Sequence, residues 1–159
     1  MASKDAFTGA KTAFIMLDAY MNTVAQEIGM ERAVSLMTRT CENMGVMGGQ
    51  MLKEQARIKE FDAKTASSLL TAFTKDIGMK VQVVEESPKR VVVRNGNCPV
   101  YEAARTLGMD GKTIEAMCRA SSIRFDDMRV KQLNPNLSLR LRKFRSGPDD
   151  FCEEEVVLG

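Results

Sequence analysis

The apolar residues of this chain keep one period as far as Gly78 and another from Lys80 onward, and that switch decides the fold class. From Phe7 the residues Ala10, Phe14, Leu17, Met21, Val24 and Ile28 recur at spacings of three and four. That is the spacing of a long amphipathic helix, and Gly29 ends it. A second helix starts near Glu31 and carries Val34, Met37, Cys41, Met44, Gly48 and Met51 on one face, which suggests an antiparallel pair with the first. Asp62 stands as the N-cap of a third helix through Ala66, Leu69, Leu70, Phe73 and Ile77, stopped by Gly78.

Beyond that point β-branched runs take over. "MKVQVVEESPKRVVVRN" reads as a hairpin turning at Glu86 to Lys89. Short helices over Pro99 to Leu107 and Lys112 to Arg119 follow, then a helical turn near Phe125 to Leu133. Alternation at Leu137, Leu139 and Leu141, a Ser-Gly-Pro-Asp turn and a final strand make a second hairpin. The expected fold is therefore α+β: an antiparallel sheet of two hairpins covered by long N-terminal helices and short connecting helices. One domain is expected over residues 1–159, with a helical part at 1–78 and a sheet and cysteine part at 79–159; a chain of this length with 44% hydrophobic residues fills one core.

Three glycines, Gly45, Gly48 and Gly49, fall inside the second helix, where each costs roughly 1 kcal/mol against alanine. They point to a close backbone approach, a kink or a cavity wall. The twelve methionines concentrate on the first two helices and suit either an adaptable core, the wall of a small-molecule cavity or a dimer surface. A heptad-like stripe on the first helix adds to the expectation of a homodimer.

The chain has no histidine, which excludes a Ser-His-Asp triad and every histidine metal site. Its net charge of +2 draws it to no particular partner, and 6% aromatics without tryptophan argue against nucleic-acid binding. No apolar run is long enough to span a bilayer and "MASKDAFTGAK" lacks a signal-peptide core, so no membrane association and a cytoplasmic location are expected.

Four cysteines in a reducing compartment need individual explanations. Cys98 precedes a helix opened by Pro99, where exposed N–H groups and the helix dipole favour a thiolate, with Arg94 four residues earlier adding positive charge. Cys98, Cys118 and Cys152 together can hold zinc with an open fourth position, or be closed by Cys41 into a structural site; without a Cys-x-x-Cys knuckle they equally suit buried core thiols. Glu154 shares a strand face with Cys152 and is the candidate general base, whereas Glu153 and Glu155 suit a solvent-facing strand end. The run "SLRLRKFRS" sets Arg140 and Arg142 opposite the leucines, either as a solvated face or as an arginine funnel for a carboxylate ligand.

Cys98-Pro99 after a strand, Leu107-Gly108 after the next helix, Cys118, Asn134-Pro135 and the turn from Gly147 to Cys152 resemble the C-terminal half of the L-2-amino-thiazoline-4-carboxylic acid hydrolase family. The order is also similar to the vinyl-4-reductase domain family of small-molecule-binding α+β domains. The resemblance covers about Val92 to Val157. It implies a ligand pocket near the cysteines and hydrolytic opening of a small cyclic amidine or thiazoline-type carboxylic acid. Cys98 and Glu154 are then the candidate catalytic residues, Arg94 and Arg142 the candidate substrate-binding residues, and Cys98, Cys118 and Cys152 the candidate zinc ligands. The other reading is a non-catalytic small-molecule sensor domain with a methionine-rich apolar pocket.

Overall fold

The computed structural model describes residues 2–159. Helix α1 spans Ala2–Ile28 and α2 spans Met30–Ala56, with only Gly29 between them. Gly29 takes φ +86°, a left-handed backbone conformation that a side chain disfavours, and this permits two 27-residue helices to meet with no loop. Helix α3, Ala63–Asp76, begins where the Thr65 N–H donates to the Asp62 carboxylate at 2.8 Å. Such a cap contributes about 1 kcal/mol.

The two hairpins form. Strand β1 (Val81–Glu86) pairs antiparallel with β2 (Arg90–Asn95), and β3 (Leu137–Lys143) with β4 (Cys152–Leu158). Strand β4 also pairs antiparallel with β2, so the sheet order is β1-β2-β4-β3. Between the hairpins lie α4 (Pro99–Thr106), α5 (Gly111–Ala120) and α6 (Ser122–Leu133). The last is a full helix, where the sequence suggested only a helical turn near Phe125 to Leu133.

The long helices find their main partners elsewhere than in each other. Helix α1 lies chiefly against α4, and α2 chiefly against α6, with a smaller contact between α1 and α2. The glycines of α2 explain the second pairing: a Cβ on Gly45 would fall 2.4 Å from the Phe125 carbonyl oxygen, closer than real atoms come. Close approach is thus the reason for Gly45 and Gly49. The outward sides of the long helices leave Met16 and Tyr20 at 70% and 66% exposed.

Period two divides the sheet into two faces. Val91, Leu137, Leu139 and Val156 join Phe61, Ala63, Ala66, Val130 and Leu133 in the main core, which ties the helical part to the sheet part. A smaller cluster of Tyr101, Ala104 and Ile114 forms under α4 and α5, with Cys98, Cys118 and Phe144 against it. The outer face is a lattice of charges. Arg90 donates to Glu155 at 2.9 Å, Arg140 donates to the same carboxylate, and Arg94 and Arg142 each reach Glu153 at 3.1 Å. Glu155, expected at a solvent-facing strand end, is instead only 2% exposed, because the arginine stems cover it.

No helix among the described residues is long and apolar enough to cross a membrane.

Candidate functional site

Between the helices and the inner face of the sheet lies a cavity of about 570 Å³. Its floor is the sheet, through Val93, Asn95, Leu139, Leu141, Cys152, Glu154 and Val156. The strand register explains this selection: Val93 and Leu141 both pair with Glu154, and Asn95 pairs with Cys152, so all point to the same side. Phe14, Asp18 and Met21 of α1 close one side, Met37, Cys41 and Met44 of α2 and Leu70 and Phe73 of α3 form the roof, and Phe125, Asp126 and Arg129 of α6 form the far wall. Three methionines of the first two helices, Met21, Met37 and Met44, therefore line a cavity.

Cys98, Cys118 and Cys152 all face this space, as does Cys41. The first three, grouped from the sequence, do line the same cavity, but their chemistry differs from the expectation. Burial pushes the Cys98 thiol up to about 11; the N–H groups of Tyr101 and Val100 and the charge of Arg145 favour its thiolate, and they lose to desolvation. Cys118 is raised further, by burial and then by the neighbouring Cys98 and Cys152. Cys41 is raised by burial and by Glu42. The helix-start position thus does not make Cys98 an activated thiolate, because the desolvation penalty at an enclosed site exceeds what one short helix returns.

For the zinc expectation the arrangement decides: among the described residues no group of three or more His, Cys, Asp or Glu side chains is placed to hold a metal ion. So placed, the thiols do not fit a zinc centre.

Glu154 does face the cavity, next to the thiols. Burial, and then the charge of Asp126, raise its carboxyl to about 7, while the Asn95 amide and Arg145 pull the other way. A carboxyl poised near neutrality in an enclosed space is suited to accept or give a proton. Asp18 on α1 is likewise raised, to about 6, by burial, and Asp126 is raised by burial despite Arg129 beside it.

Arg94 and Arg142 lie on the other face of the sheet. Each is paired with Glu153, and Arg94 also covers the Phe151 ring at 4.4 Å. Period two dictates this: Val93 and Asn95 point inward, so Arg94 points outward, and Arg142 alternates with the inward Leu141. The guanidinium beside the thiols is Arg145, 3% exposed, which donates to the Asn95 carbonyl at 2.9 Å and reaches the Cys152 sulfur at 3.4 Å. It also stacks over Tyr101 at 4.8 Å. Arg129 supplies the second interior cation, donating to Asp126 at 3.0 Å between the rings of Phe73 and Phe125.

Sequence reasoning missed Asp18, Asn95, Asp126, Arg129 and Arg145. Asp18 left a visible signal, since Phe14, Asp18 and Met21 follow the helical stripe and a carboxylate interrupts it. Arg145 left none, because it follows β3, where the alternation that ordered its neighbours has ended.

With this geometry in view, three comparisons place the chain among known proteins. The model of the L-2-amino-thiazoline-4-carboxylic acid hydrolase family matches residues 10–154. No protein of curated function matches the chain. Among solved structures, the crystal structure of the phenol-responsive sensory domain of the transcription activator PoxR with phenol is similar at a TM-score of 0.62 and 15% sequence identity. The match covers 91% of this chain and 74% of that one, and at this identity it shows a shared fold.

Proposed function

The chain belongs to the L-2-amino-thiazoline-4-carboxylic acid hydrolase family, and from that premise we propose that it binds a small, ring-sized organic molecule in the cavity between helices and sheet. The observation that carries the reading is the cavity itself. Its volume of about 570 Å³ falls in the range of small-molecule sites, and its walls are methionine, leucine, valine and phenylalanine interrupted by a few polar groups. The phenol-responsive domain of the same fold, crystallised with phenol, supports a ligand of ring size. Thermal unfolding with a panel of monocyclic compounds tests it, because a ligand that binds only the folded state raises Tm. A panel that leaves Tm unmoved, together with native mass spectra free of copurified small molecules, would count against it.

A second reading is favoured by Glu154, and it makes the same cavity a hydrolytic site for a small cyclic amidine or thiazoline-type carboxylic acid. The Glu154 carboxylate takes a proton from a water as the water oxygen bonds to the amidine carbon of the ring. The proton is returned to the sulfur as the C–S bond breaks, so the product is ring-opened and carries a new thiol. The protonated thiols of Cys98 and Cys118 serve as walls rather than nucleophiles. Titration of new thiol during incubation with 2-amino-thiazoline-4-carboxylate tests this reading. Glu154→Gln is expected to lower the rate roughly 100-fold while Cys98→Ser retains it. Absence of product with wild type leaves the binding reading alone in place.

A further inference from the structure

One side chain in the cavity is explained neither by packing nor by pairing. Asp18 lies on α1 between Phe14 and Met21, on the stripe that faces the cavity, and is 5% exposed. Its Oδ2 is buried without a hydrogen-bond partner among the described residues. A leucine there would continue the stripe at no cost, whereas a buried carboxyl oxygen without a donor is unfavourable and is found in native proteins where something else supplies the donor.

The interior cations do not supply it. Arg145 is committed to the Asn95 carbonyl and the Cys152 sulfur. Arg129 is committed to Asp126, and its unpartnered Nε lies in a guanidinium held between two aromatic rings, a compensation that Asp18 lacks. Of these two unpartnered atoms, Asp18 Oδ2 is therefore the one with nothing to compensate it, and it sits on the helix that closes one side.

Resting on the reading that the cavity holds a ring-sized molecule, we infer that Asp18 is its specificity-determining residue and selects a ring that carries a cationic nitrogen donor. Such a group gives Oδ2 the hydrogen bond it lacks and pairs with the carboxylate where water is excluded. A neutral ring fills the same volume but leaves the oxygen orphaned; an anionic ring adds repulsion. With its carboxyl raised only to about 6, Asp18 is largely ionised at pH 7.5 and ready for a cation. The side chain acts on affinity and on the choice among rings of equal size.

Three probes of one size separate the cases: benzylammonium, benzyl alcohol and benzoate, titrated calorimetrically into the full chain at pH 7.5. Benzylammonium is expected to bind wild type at least tenfold more tightly than the other two. Asp18→Asn, nearly isosteric, is expected to abolish that preference while binding benzyl alcohol as wild type does, which also shows that the variant is folded. Glu154→Gln is expected to keep the preference, separating the two carboxyls. Asp18→Leu is expected to unfold at a higher temperature than wild type without ligand and to lose benzylammonium. A preference that survives in Asp18→Asn, or a wild type that binds benzyl alcohol or benzoate as well as benzylammonium, overturns the role of Asp18 and leaves the cavity reading standing. A wild type that binds none of the three overturns both.

Discussion

Gly49 of α2 and the main chain of Arg129 in α6 approach so closely that a methyl group on Gly49 would stand 2.6 Å from the Arg129 carbonyl oxygen. Gly45 is as constrained, against Phe125 and Met128, but a Cβ on Gly48 would meet nothing nearer than 3.7 Å. Replacing a helical glycine by alanine gains about 1 kcal/mol in propensity. Forcing apart packed backbones costs about 1–3 kcal/mol and sometimes more. Gly45→Ala and Gly49→Ala are therefore expected to lower stability, and Gly48→Ala to leave it unchanged or raise it by up to about 1 kcal/mol. Urea unfolding of the three variants reads this directly, and equal effects at all three would refute the close-approach account.

Glu154 makes the stability depend on pH with a definite sign. Its carboxyl titrates at about 7 in the folded chain and near its ordinary 4.5 when unfolded, so between these values the folded state binds the extra proton. Stability from this group is complete below about 4.5 and is lost as pH rises through about 7. Asp18 acts in the same direction between its ordinary 3.8 and about 6. Glu154→Gln is expected to remove its part of the slope and to be the more stable protein at pH 7.5, by on the order of 3 kcal/mol at most. Asp150, held well below the usual carboxylate range by Lys143 and by the N–H groups of Ser146 and Phe151, works the other way and gives up its contribution only in acid below 3.8. Melting temperatures from pH 4 to 8 for wild type and variant check the sign.

The thiols at the cavity are expected to react slowly. With Cys98 raised to about 11 and Cys118 higher still, the thiolate fraction at pH 8 is small and the sulfurs are enclosed. Iodoacetamide labelling mapped by mass spectrometry is expected to modify Cys98 and Cys118 at least tenfold more slowly than in urea-unfolded protein. A cavity-filling ligand slows them further. Rapid labelling of folded Cys98 would restore it as a nucleophile.

Arg145 is expected to be a structural hub of the site. Its guanidinium joins β2 to β4 by way of the Asn95 carbonyl and the Cys152 sulfur while stacking on Tyr101. Arg145→Met leaves that carbonyl without its charged donor and is expected to cost about 3 kcal/mol. Arg145→Lys is expected to recover less than half of this, because an ammonium cannot serve the fork and the ring together. Chemical denaturation of both variants measures the ratio.

Much of this architecture was legible in the sequence, for reasons that can be traced to individual residues. The Asp62 cap, Gly29 and Gly78 fixed the helix limits through local backbone physics, and the leucines of β3 announced the inner face of the sheet by strict alternation. Helix α6 was read as no more than a helical turn because Asp127 and Arg129 are charged yet buried, which breaks its apolar period; Asp127 accepts from the Leu139 N–H of β3 and Arg129 lies over the Phe73 ring of α3. Cys98, Cys118, Cys152 and Glu154, grouped from the sequence, line one cavity. The arginines assigned to that site lay a half-period out of phase, which the same alternation already implied. The pKa of Cys98 was not legible, since the enclosure that raises it is made by helices distant in sequence.

The position of β4 bears on how the chain acquires its interior. It is fourth in chain order among the described strands, yet it lies between β2 and β3 and pairs with both. Until it arrives, the β1–β2 hairpin and β3 each offer an unpaired edge, the state in which neighbouring chains exchange strands and aggregate. Its insertion closes those edges and, in the same event, delivers Cys152, Glu154 and Val156 to the cavity. Closure of the sheet and completion of the cavity floor are thus the work of a single strand.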